Sequence, residues 1–457
     1  MPRLHTRQEL AALSQATSTL YSTIEYRDNV YLPVDFETGL RQPQSADRTV
    51  WRRMTASEMM RFANDTLDIL FSSDNEFRSF YMMLQQLASS TPAVEKLLIP
   101  TRNDGVQMLT ANGTLVPATG DFAPNYLKLQ YDPDVDTTFV WENLVDWLDG
   151  EEQAHSLLHQ LSVGLQPEWT ASKYLLFIGE GLNGKSTLLK MMEKLVGADN
   201  VSNVSRLEMS NKRVTVAALN GALMNIMFDG PKEFLKDSST EKTLIAGERL
   251  DIELKYKNIA TTVQTTALFL EGLNNEPKTS DHSPALQRRL VRYHFPKKYV
   301  LDRSYERKML SRESLSALVK LILEHWVMEG VDQERLTNTV ASSRLQLEHQ
   351  WATSPLLQFL EYLAAQDANE LKTAIKPNTP VDVLVASYRP WLGANGYKSF
   401  DDGYIRQSID ENFFTTRKTV RIQGKPSTRR VIVGLKDTAQ ALVDALLEGD
   451  DDEMVRE

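Results

Sequence analysis

The residues with the clearest chemical potential lie in a glycine-rich segment that reads GEGLNGKST. Their spacing fits G-x-x-x-x-G-K-[ST], a pattern in which backbone N–H groups close around phosphate oxygens. The Lys185 ammonium would reach the β- and γ-phosphates of a nucleotide, and the Ser186 hydroxyl would hold magnesium. We therefore predict that ATP and Mg²⁺ bind to this loop. The loop consists of Gly179, Glu180, Gly181, Leu182, Asn183, Gly184, Lys185, Ser186 and Thr187.

The same glycines also fit a second pattern. Gly179, Gly181 and Gly184 satisfy G-x-G-x-x-G, the dinucleotide-binding signature, which requires an acid about 20 residues on, at the end of a second strand. Asp199 stands at that distance, but the residues before it are typical of a helix followed by a turn. The dinucleotide pattern also leaves the Lys-Ser pair without a role, so the phosphate-loop interpretation is preferred.

Three apolar runs predict strands that would bring partners to this loop. YLLFI at residues 174–178 leads directly into it, and LMNIMF at residues 223–228 ends at Asp229. An acid at such a strand end suits the magnesium water shell, although an Asp before Gly-Pro also suits a turn. The third run, TTALFL, precedes Asn274, whose amide could contact the γ-phosphate or belong to a turn.

Further groups could complete nucleotide hydrolysis. Glu233 could polarise the attacking water, or it could be a solvated helix residue. The pair Arg288 and Arg289 could supply an arginine finger that stabilises transition-state charge in the site of a neighbouring subunit. The same pair could equally be structural surface residues.

Basic residues cluster in two predicted hairpins. In residues 249–264, apolar alternation predicts a strand whose polar side includes Lys255 and Lys257. Residues 417–430 contain six basic and no acidic residues around a Gly-Lys-Pro turn, which favours the wing of a winged helix. Either hairpin could bind a DNA backbone or be a solvated strand face. The basic residues of the second hairpin are Arg417, Lys418, Arg421, Lys425, Arg429 and Arg430.

Composition excludes several classes of protein. The chain has 457 residues, of which 42% are hydrophobic and 25% charged, so two or three globular domains are expected. The absence of cysteine excludes disulfide scaffolds, cysteine-based zinc fingers, iron–sulfur clusters and thiol nucleophiles. A net charge of −10 argues by itself against a surface covered in positive charge for binding nucleic acid, so any DNA contact must be local.

The remaining elements would position these groups. Residues 1–99 are expected to be helical, because residues 55–98 carry apolar side chains at helical spacing, and residues 138–166 show an amphipathic helical pattern. Between them, two short runs flank Asn112–Gly113 and predict a hairpin. Apolar runs alternate with polar stretches over residues 172–300, which is typical of an α/β fold.

The order of these features resembles that of the superfamily 3 DNA helicases, in particular the helicase half of phage, plasmid and poxvirus primase–helicases. In that family the loop commonly reads like residues 179–187, and a strand ending in an acid follows about forty residues later, as at Asp229. The family's Asn-x-x-Pro is matched at residues 274–277, and its Arg-Arg pair at residues 288–289. The resemblance extends over residues 100–435.

Two departures limit what the resemblance implies. The family often has two adjacent acids where this chain has Asp229 followed by Gly230, so the group that would polarise water is left open. The first hundred residues are too few for the family's primase–polymerase domain, and the missing cysteines exclude a primase zinc ribbon. Priming would therefore come from a separate primase or polymerase, if at all.

The resemblance implies an α/β fold with a P-loop (AAA+-like) ATPase core, assembled as a hexameric ring that unwinds DNA. The loop, Asp229 and Asn274 would act on ATP, with Mg²⁺ between Ser186 and Asp229, and the arginine pair would act across a subunit boundary, with Arg289 preferred. The lysine hairpin would grip one DNA strand in the ring channel. The alternatives are a replication initiator or scaffold that uses ATP only to assemble, and a small-molecule kinase.

The residue patterns and the resemblance together divide the chain into parts. The expected parts are a helical N-terminal region at 1–99, a lead-in domain at 100–166, an ATPase domain at 167–345, a winged-helix domain at 346–436, and a C-terminal helix and acidic tail at 437–457. No signal peptide is expected, because the N-terminus lacks a long apolar stretch and Glu9 interrupts the early segment. No membrane span is expected, because the chain lacks an apolar window of about 18 residues. We expect a cytoplasmic protein, in the host cell if a phage encodes it.

Overall fold

The computed structural model describes residues 6–21, 23–26, 29–38, 48–54, 56–66, 70–90, 97–110, 114–118, 122–123, 125–165, 172–210, 214–230, 238–253, 260–276, 283–327, 339–395, 402–422 and 425–447. The chain forms two compact units. The first comprises Met1–Pro277 and Arg288–Ala341, and the second comprises Lys278–Gln287 and Ser342–Glu457. The predicted division into five parts stays a prediction.

The first unit begins with three helices and a small sheet. The helices are α1 (Arg7–Tyr21), α2 (Ala56–Thr66) and α3 (Asp74–Leu87). The strands are β1 (Ile24–Tyr26), β2 (Asn29–Asp35), β3 (Thr49–Met54) and β4 (Ser89–Ser90), in the order β3-β2-β1-β4.

This sheet corrects the prediction of a helical N-terminal region. Val30 and Leu32 of β2 pack into one core, whereas Tyr31 and Val34 pack into another, so both faces of the strand are buried. A strand buried on both faces is a continuous apolar run, and a short run of that kind has no periodicity that separates strand from helix.

A second four-stranded sheet and two helices follow. The strands are β5 (Leu97–Pro100), β6 (Val106–Leu109), β7 (Leu115–Pro117) and β8 (Asn125–Tyr126), and the helices are α4 (Thr138–Leu148) and α5 (Glu151–Gly164). Strands β6 and β7 pair antiparallel, as the predicted hairpin requires. Its expected turn at residues 112–113 lies outside the described residues.

A five-stranded parallel sheet forms the centre of the first unit. Its strands are β9 (Tyr174–Ile178), β10 (Val201–Ser202), β11 (Met224–Met227), β14 (Leu268–Leu273) and β15 (Leu290–His294), in the order β10-β11-β14-β9-β15. Strands β12 (Leu250–Glu253) and β13 (Ala260–Val263) pair separately. The helices around the sheet are α6 (Lys185–Val196), α7 (Arg206–Ser210), α8 (Ser239–Ile245), α10 (Arg303–Met309) and α11 (Arg312–Val327). The fold is therefore mixed α/β with a parallel sheet.

The two faces of this sheet differ in chemistry. Leu175 and Phe177 of β9 point to a large apolar core that includes side chains of α5, α6 and α11. The alternate residues point the other way, because successive side chains of a strand face opposite sides. Leu176 is paired in register with Glu271 of β14 and Arg292 of β15, so this second face carries buried charges.

The second unit combines helices with one long hairpin. The short helix α9 (Pro284–Gln287) belongs to it, and its other helices are α12 (Val340–Thr353), α13 (Pro355–Gln366), α14 (Ala368–Ala374), α15 (Val381–Ala394), α16 (Asp402–Asn412) and α17 (Asp437–Leu447). Strands β16 (Phe413–Ile422) and β17 (Lys425–Leu435) pair antiparallel. Residues from α13, α15, α16 and α17 share one apolar core. The predicted acidic tail at residues 448–457 lies outside the described residues.

No helix in the described part of the chain is both long and apolar enough to cross a lipid bilayer.

Candidate phosphate-binding site

The glycine-rich loop connects the carboxyl end of β9 to the start of α6, as its sequence predicts. Gly184 immediately precedes the helix with φ +95°, and a Cβ there would lie 2.7 Å from ring atoms of Trp147. A Cβ on Gly179 would lie 2.4 Å from the Phe295 carbonyl oxygen. Glycine is therefore required at both positions, because only a residue without a side chain permits such close approach.

Lys185 is turned along the inside of the loop. Its ammonium donates to the Gly179 carbonyl oxygen and, over 3.0 Å, to Asn183 Oδ1. Asn183 in turn donates from Nδ2 to the Phe295 carbonyl oxygen at 3.2 Å, which ties the loop to the end of β15. Burial lowers the pKa of Lys185, and the nearby Asp229 carboxylate partly opposes that shift.

A cavity of about 980 Å³ opens against the loop. Residues from Gly181 to Thr187 line one side of it, together with Asp229 after β11 and Asn274 after β14. These groups meet because β11, β14 and β9 are parallel neighbours, so their carboxyl ends lie at the same edge of the sheet. Gly230 donates its backbone N–H to the Gly272 carbonyl at 2.9 Å, which holds the two strand ends together.

The opposite side of the cavity is one that sequence reasoning missed. It comprises Asn143 and Trp147 of α4, and the segment from Tyr299 to Glu306. The Tyr299 backbone N–H donates to the Leu182 carbonyl at 2.8 Å, and the Tyr299 hydroxyl donates to Asp146 Oδ2 at 2.7 Å. No spacing pattern links α4 to a loop that lies far along the chain, so only tertiary packing could reveal this wall.

The structure places the arginine pair away from this cavity. Arg288 and Arg289 form the turn before β15, and the Arg289 carbonyl accepts from the Tyr174 N–H at 2.7 Å. Tyr174 begins β9, whereas the loop follows its end, so a five-residue strand of about 16 Å separates the two sites. Burial lowers the pKa of Arg289, and the neighbouring Arg288 charge adds to the effect.

Four predicted side chains lie outside the part of the chain that the structure describes. Lys255, Lys257 and Glu233 are outside the described residues, although β12 and β13 pair on either side of the lysine segment. Lys425 begins β17, but its side chain is not among those described.

The basic side chains of the second hairpin differ in whether they have a partner within the protein. Three side chains contact the protein itself: Arg429 pairs with Asp382 at 3.2 Å, Arg430 pairs with Asp410, and Lys418 donates to Asn378 at 2.9 Å. Arg417 and Arg421 are exposed, and neither side chain has a hydrogen-bond or ion-pair partner among the described residues. They are therefore the described members of the hairpin whose charges are most available to an external anion.

The geometry defines a glycine-rich strand–loop–helix at the carboxyl edge of a parallel sheet, with an acid and an amide beside it. A family of unknown function, DUF5906, matches residues 177–289, which is less than half of the chain but includes the loop, Asp229 and Asn274. No curated protein matches the chain significantly.

Solved structures of the NrS-1 C-terminal region are similar to this chain. Two apo structures each give a TM-score of 0.50 at 13% identity, covering 94% of this chain and all of that one. A third, of residues 305–718 in its A form, gives 0.50 at 14% identity, covering 94% of this chain and 99% of the other. At this identity the likeness shows a shared fold and nothing further.

Proposed function

We propose that this chain is an ATP-hydrolysing DNA helicase or translocase of the superfamily 3 type, encoded by a phage or plasmid and acting in replication. The observation that carries the proposal is the meeting of the glycine-rich loop, Asp229 and Asn274 around one cavity. A phosphate loop alone binds many ligands, but an acid and an amide from the two adjacent strand ends suit hydrolysis of a bound nucleotide.

The loop would bind the triphosphate through its backbone N–H groups and the amino end of α6. That helix has twelve residues, so its dipole favours a negative charge at this end. Lys185 would exchange its contacts with Gly179 and Asn183 for phosphate oxygens. Because this ammonium is buried, its attraction to a phosphate is less screened by water than at the surface.

Magnesium fits the donor chemistry at the edge of the cavity. The Ser186 hydroxyl and the Asp229 carboxylate supply hard oxygen ligands of the kind that Mg²⁺ binds beside phosphates. The ion would neutralise charge on the β- and γ-phosphates. Asn274 would orient the γ-phosphate or the attacking water from the next strand end.

The placement of the arginine pair supports a ring. Arg288 and Arg289 lie at the opposite end of β9 from the loop, so within one chain they do not reach its own cavity. In a hexamer, Arg289 would instead act on the nucleotide of a neighbouring subunit. The order of helices followed by a basic hairpin in the second unit supports a winged-helix DNA-binding domain, with Arg417 and Arg421 as its exposed phosphate contacts.

The loop assignment is tested by Lys185→Ala, with Lys194→Ala as a matched control that removes an exposed lysine from the same helix. We expect ATP hydrolysis to fall more than about a hundredfold in the first variant and less than about twofold in the second. Turnover retained by Lys185→Ala would exclude the loop as the hydrolytic site.

The DNA-dependent part of the proposal needs separate measurements. Hydrolysis should rise when single-stranded DNA is added, a forked duplex should be separated, and mass measurement should show a hexamer. Hydrolysis and DNA binding without strand separation would favour the initiator alternative. Hydrolysis that is indifferent to DNA, from a monomer, would favour a small-molecule kinase.

A further inference from the structure

A cluster of five ionisable side chains lies buried on the second face of the central sheet, outside the cavity. Each member comes from a different part of the first unit. They are Arg206 of α7, Glu241 of α8, Glu271 of β14, Glu276 of the segment after β14, and Arg292 of β15. The side chains of four of them are at most 4% exposed, and Glu271 is fully buried.

Glu276 lies within ion-pair distance of both arginines of this cluster. Arg292 donates from Nε to Glu276 Oε2 at 2.7 Å and from Nη2 to Oε1 at 2.9 Å, which is a bidentate pair. Arg206 lies 4.0 Å from the same carboxylate through Nη1. Its Nε donates to Glu241 Oε1 at 2.6 Å, so Arg206 stands between Glu276 and α8.

Glu276 is close in sequence to a residue of the cavity. It follows Asn274 by two positions, in a segment that continues beyond β14 without regular secondary structure. A strand end of this kind has no ladder hydrogen bonds to hold it, so its side-chain anchors decide where it lies. The bidentate contact with Arg292 is such an anchor.

Stability alone gives a weak reason for this cluster. Removing charges from water is costly, and apolar residues of similar volume often stabilise a core equally well or better. An ion network instead fixes the orientation of its members, because a guanidinium donates paired hydrogen bonds to a carboxylate in only a few geometries. The cluster is thus better suited to fixing positions than to increasing stability.

We propose that Glu276 is a positioning residue for Asn274, and that the Arg292–Glu276–Arg206–Glu241 chain ties the cavity-lining segment to α8. This inference rests on the proposed function. Helix α8 is followed directly by the β12–β13 pair, so the same chain links the cavity to the segment that carries the predicted DNA-contacting lysines.

The positioning role is tested with Glu276→Gln and with the double variant Arg292→Leu/Glu276→Leu. The double variant removes one charge of each sign, so Arg206 and Glu241 keep their pairing. We expect it to unfold within about 3 °C of the wild type, yet to lose at least about tenfold in kcat with KM for ATP changed less than about threefold. Glu276→Asp should recover part of the rate that Glu276→Gln loses.

A double variant with wild-type stability and wild-type kcat would overturn the positioning role. Should the double variant fail to fold, the pair Glu276→Gln and Glu276→Asp decides the question. Equal kcat in these two variants and the wild type contradicts the role, and a graded loss supports it.

The tie to α8 is tested by hydrogen exchange, which does not depend on turnover. In Glu241→Gln we expect faster exchange in residues 272–276 as well as in α8, whereas Arg102→Gln, which breaks an exposed pair with Asp132, should change neither. Faster exchange confined to α8 would overturn the tie. If the wild type does not hydrolyse ATP, the proposed function fails, and exchange alone then decides whether the tie exists.

Discussion

The two faces of the central sheet are built from the same strands but hold different chemistry. On one face, Leu175, Phe177 and Val291 join an apolar core with residues of five helices. On the other, Glu271 and Arg292 flank Leu176 and belong to the buried cluster of ionisable side chains. The contrast separates two tasks: apolar burial stabilises the sheet without fixing direction, whereas paired charges hold particular groups in particular places.

The boundary between these tasks follows the pleat of each strand. The side chains of β15 alternate between the two faces: Val291 and Tyr293 point to the apolar core, and Leu290 and Arg292 point to the second face. The single buried charge of this strand, on Arg292, therefore lies only on the second face. The cavity lies at the carboxyl edge of the same strands, where both faces end. Its position is therefore supported by both the apolar core and the charged network.

The largest effect is expected from the apolar face. Phe177 is fully buried and contacts the rings of Tyr293 and Phe295. Phe177→Ala should lower the free energy of unfolding by about 3–5 kcal/mol, measured by urea denaturation. The control Phe414→Ala, at a side chain that is 53% exposed, should cost less than about 1 kcal/mol. Equal costs would show that the apolar face does not dominate stability.

A smaller effect, dependent on pH, is expected from the charged face. Burial raises the pKa of Glu271 from 4.5 to about 7. The positive charge of Arg206 opposes this rise, and the negative charge of Glu241 adds to it. Between those values the folded chain keeps a proton that the unfolded chain has released. Stability from this group is therefore fully present below pH 4.5 and is lost as the pH rises through about 7.

Glu271→Gln should remove this dependence. From about pH 5 to about pH 8, the free energy of unfolding of the wild type should fall by about 1–3 kcal/mol relative to the variant, measured by urea denaturation at both values. Glu361→Gln makes the same chemical change at an exposed position of α13 and should follow the wild type. A wild type that gains stability relative to Glu271→Gln would reverse the assigned sign.

The smallest effect concerns histidines on the apolar side. His159 of α5 and His325 of α11 are buried, and burial lowers the pKa of each to about 4. The charge of His325 also acts on His159, and that of His155 acts on His325. Between these pKa values, the two histidines are protonated in the unfolded chain but neutral in the folded chain. Their contribution to stability is therefore lost as the pH falls from 6.5 through about 4.

The stability contribution of the apolar side should therefore fall as the pH falls through about 4, whereas that of the charged face falls as the pH rises through about 7. At about pH 5, His325→Gln should reduce the acid loss by about 1–2 kcal/mol, measured as the change in unfolding free energy from about pH 7. His294→Gln, at an exposed position of β15, provides the control. An unchanged acid loss in His325→Gln would mean that His325 is already protonated in the fold.

Local patterns predicted the elements that carry the loop. The apolar run at residues 174–178 forms β9, the glycine-rich residues after it form the loop, and the residues with helical spacing that follow form α6. These predictions succeeded because strand alternation, helix periodicity and glycine geometry are properties of neighbouring residues. The N-terminal sheet was missed because β2 is buried on both faces and shows no alternation.

The charged network could not be predicted in the same way. Arg206, Glu241 and Glu276 each look like ordinary surface residues, since neither their spacing nor their neighbours in sequence indicate burial. Their pairing requires α7, α8 and the end of β14 to be adjacent first. The same holds for Trp147, whose ring lies against Gly184 only after α4 packs beside the loop.

By itself, then, the amino-acid order determined the chemical types and the local shape: a phosphate-type loop between a strand and a helix, acids and amides at strand ends, and a basic hairpin. The tertiary structure alone decided which groups share the cavity, which arginine faces which carboxylate, and that Arg288 and Arg289 lie at the far end of β9. The physical reason is range. Backbone preference acts over a few residues, whereas burial and charge pairing depend on which distant segments come into contact.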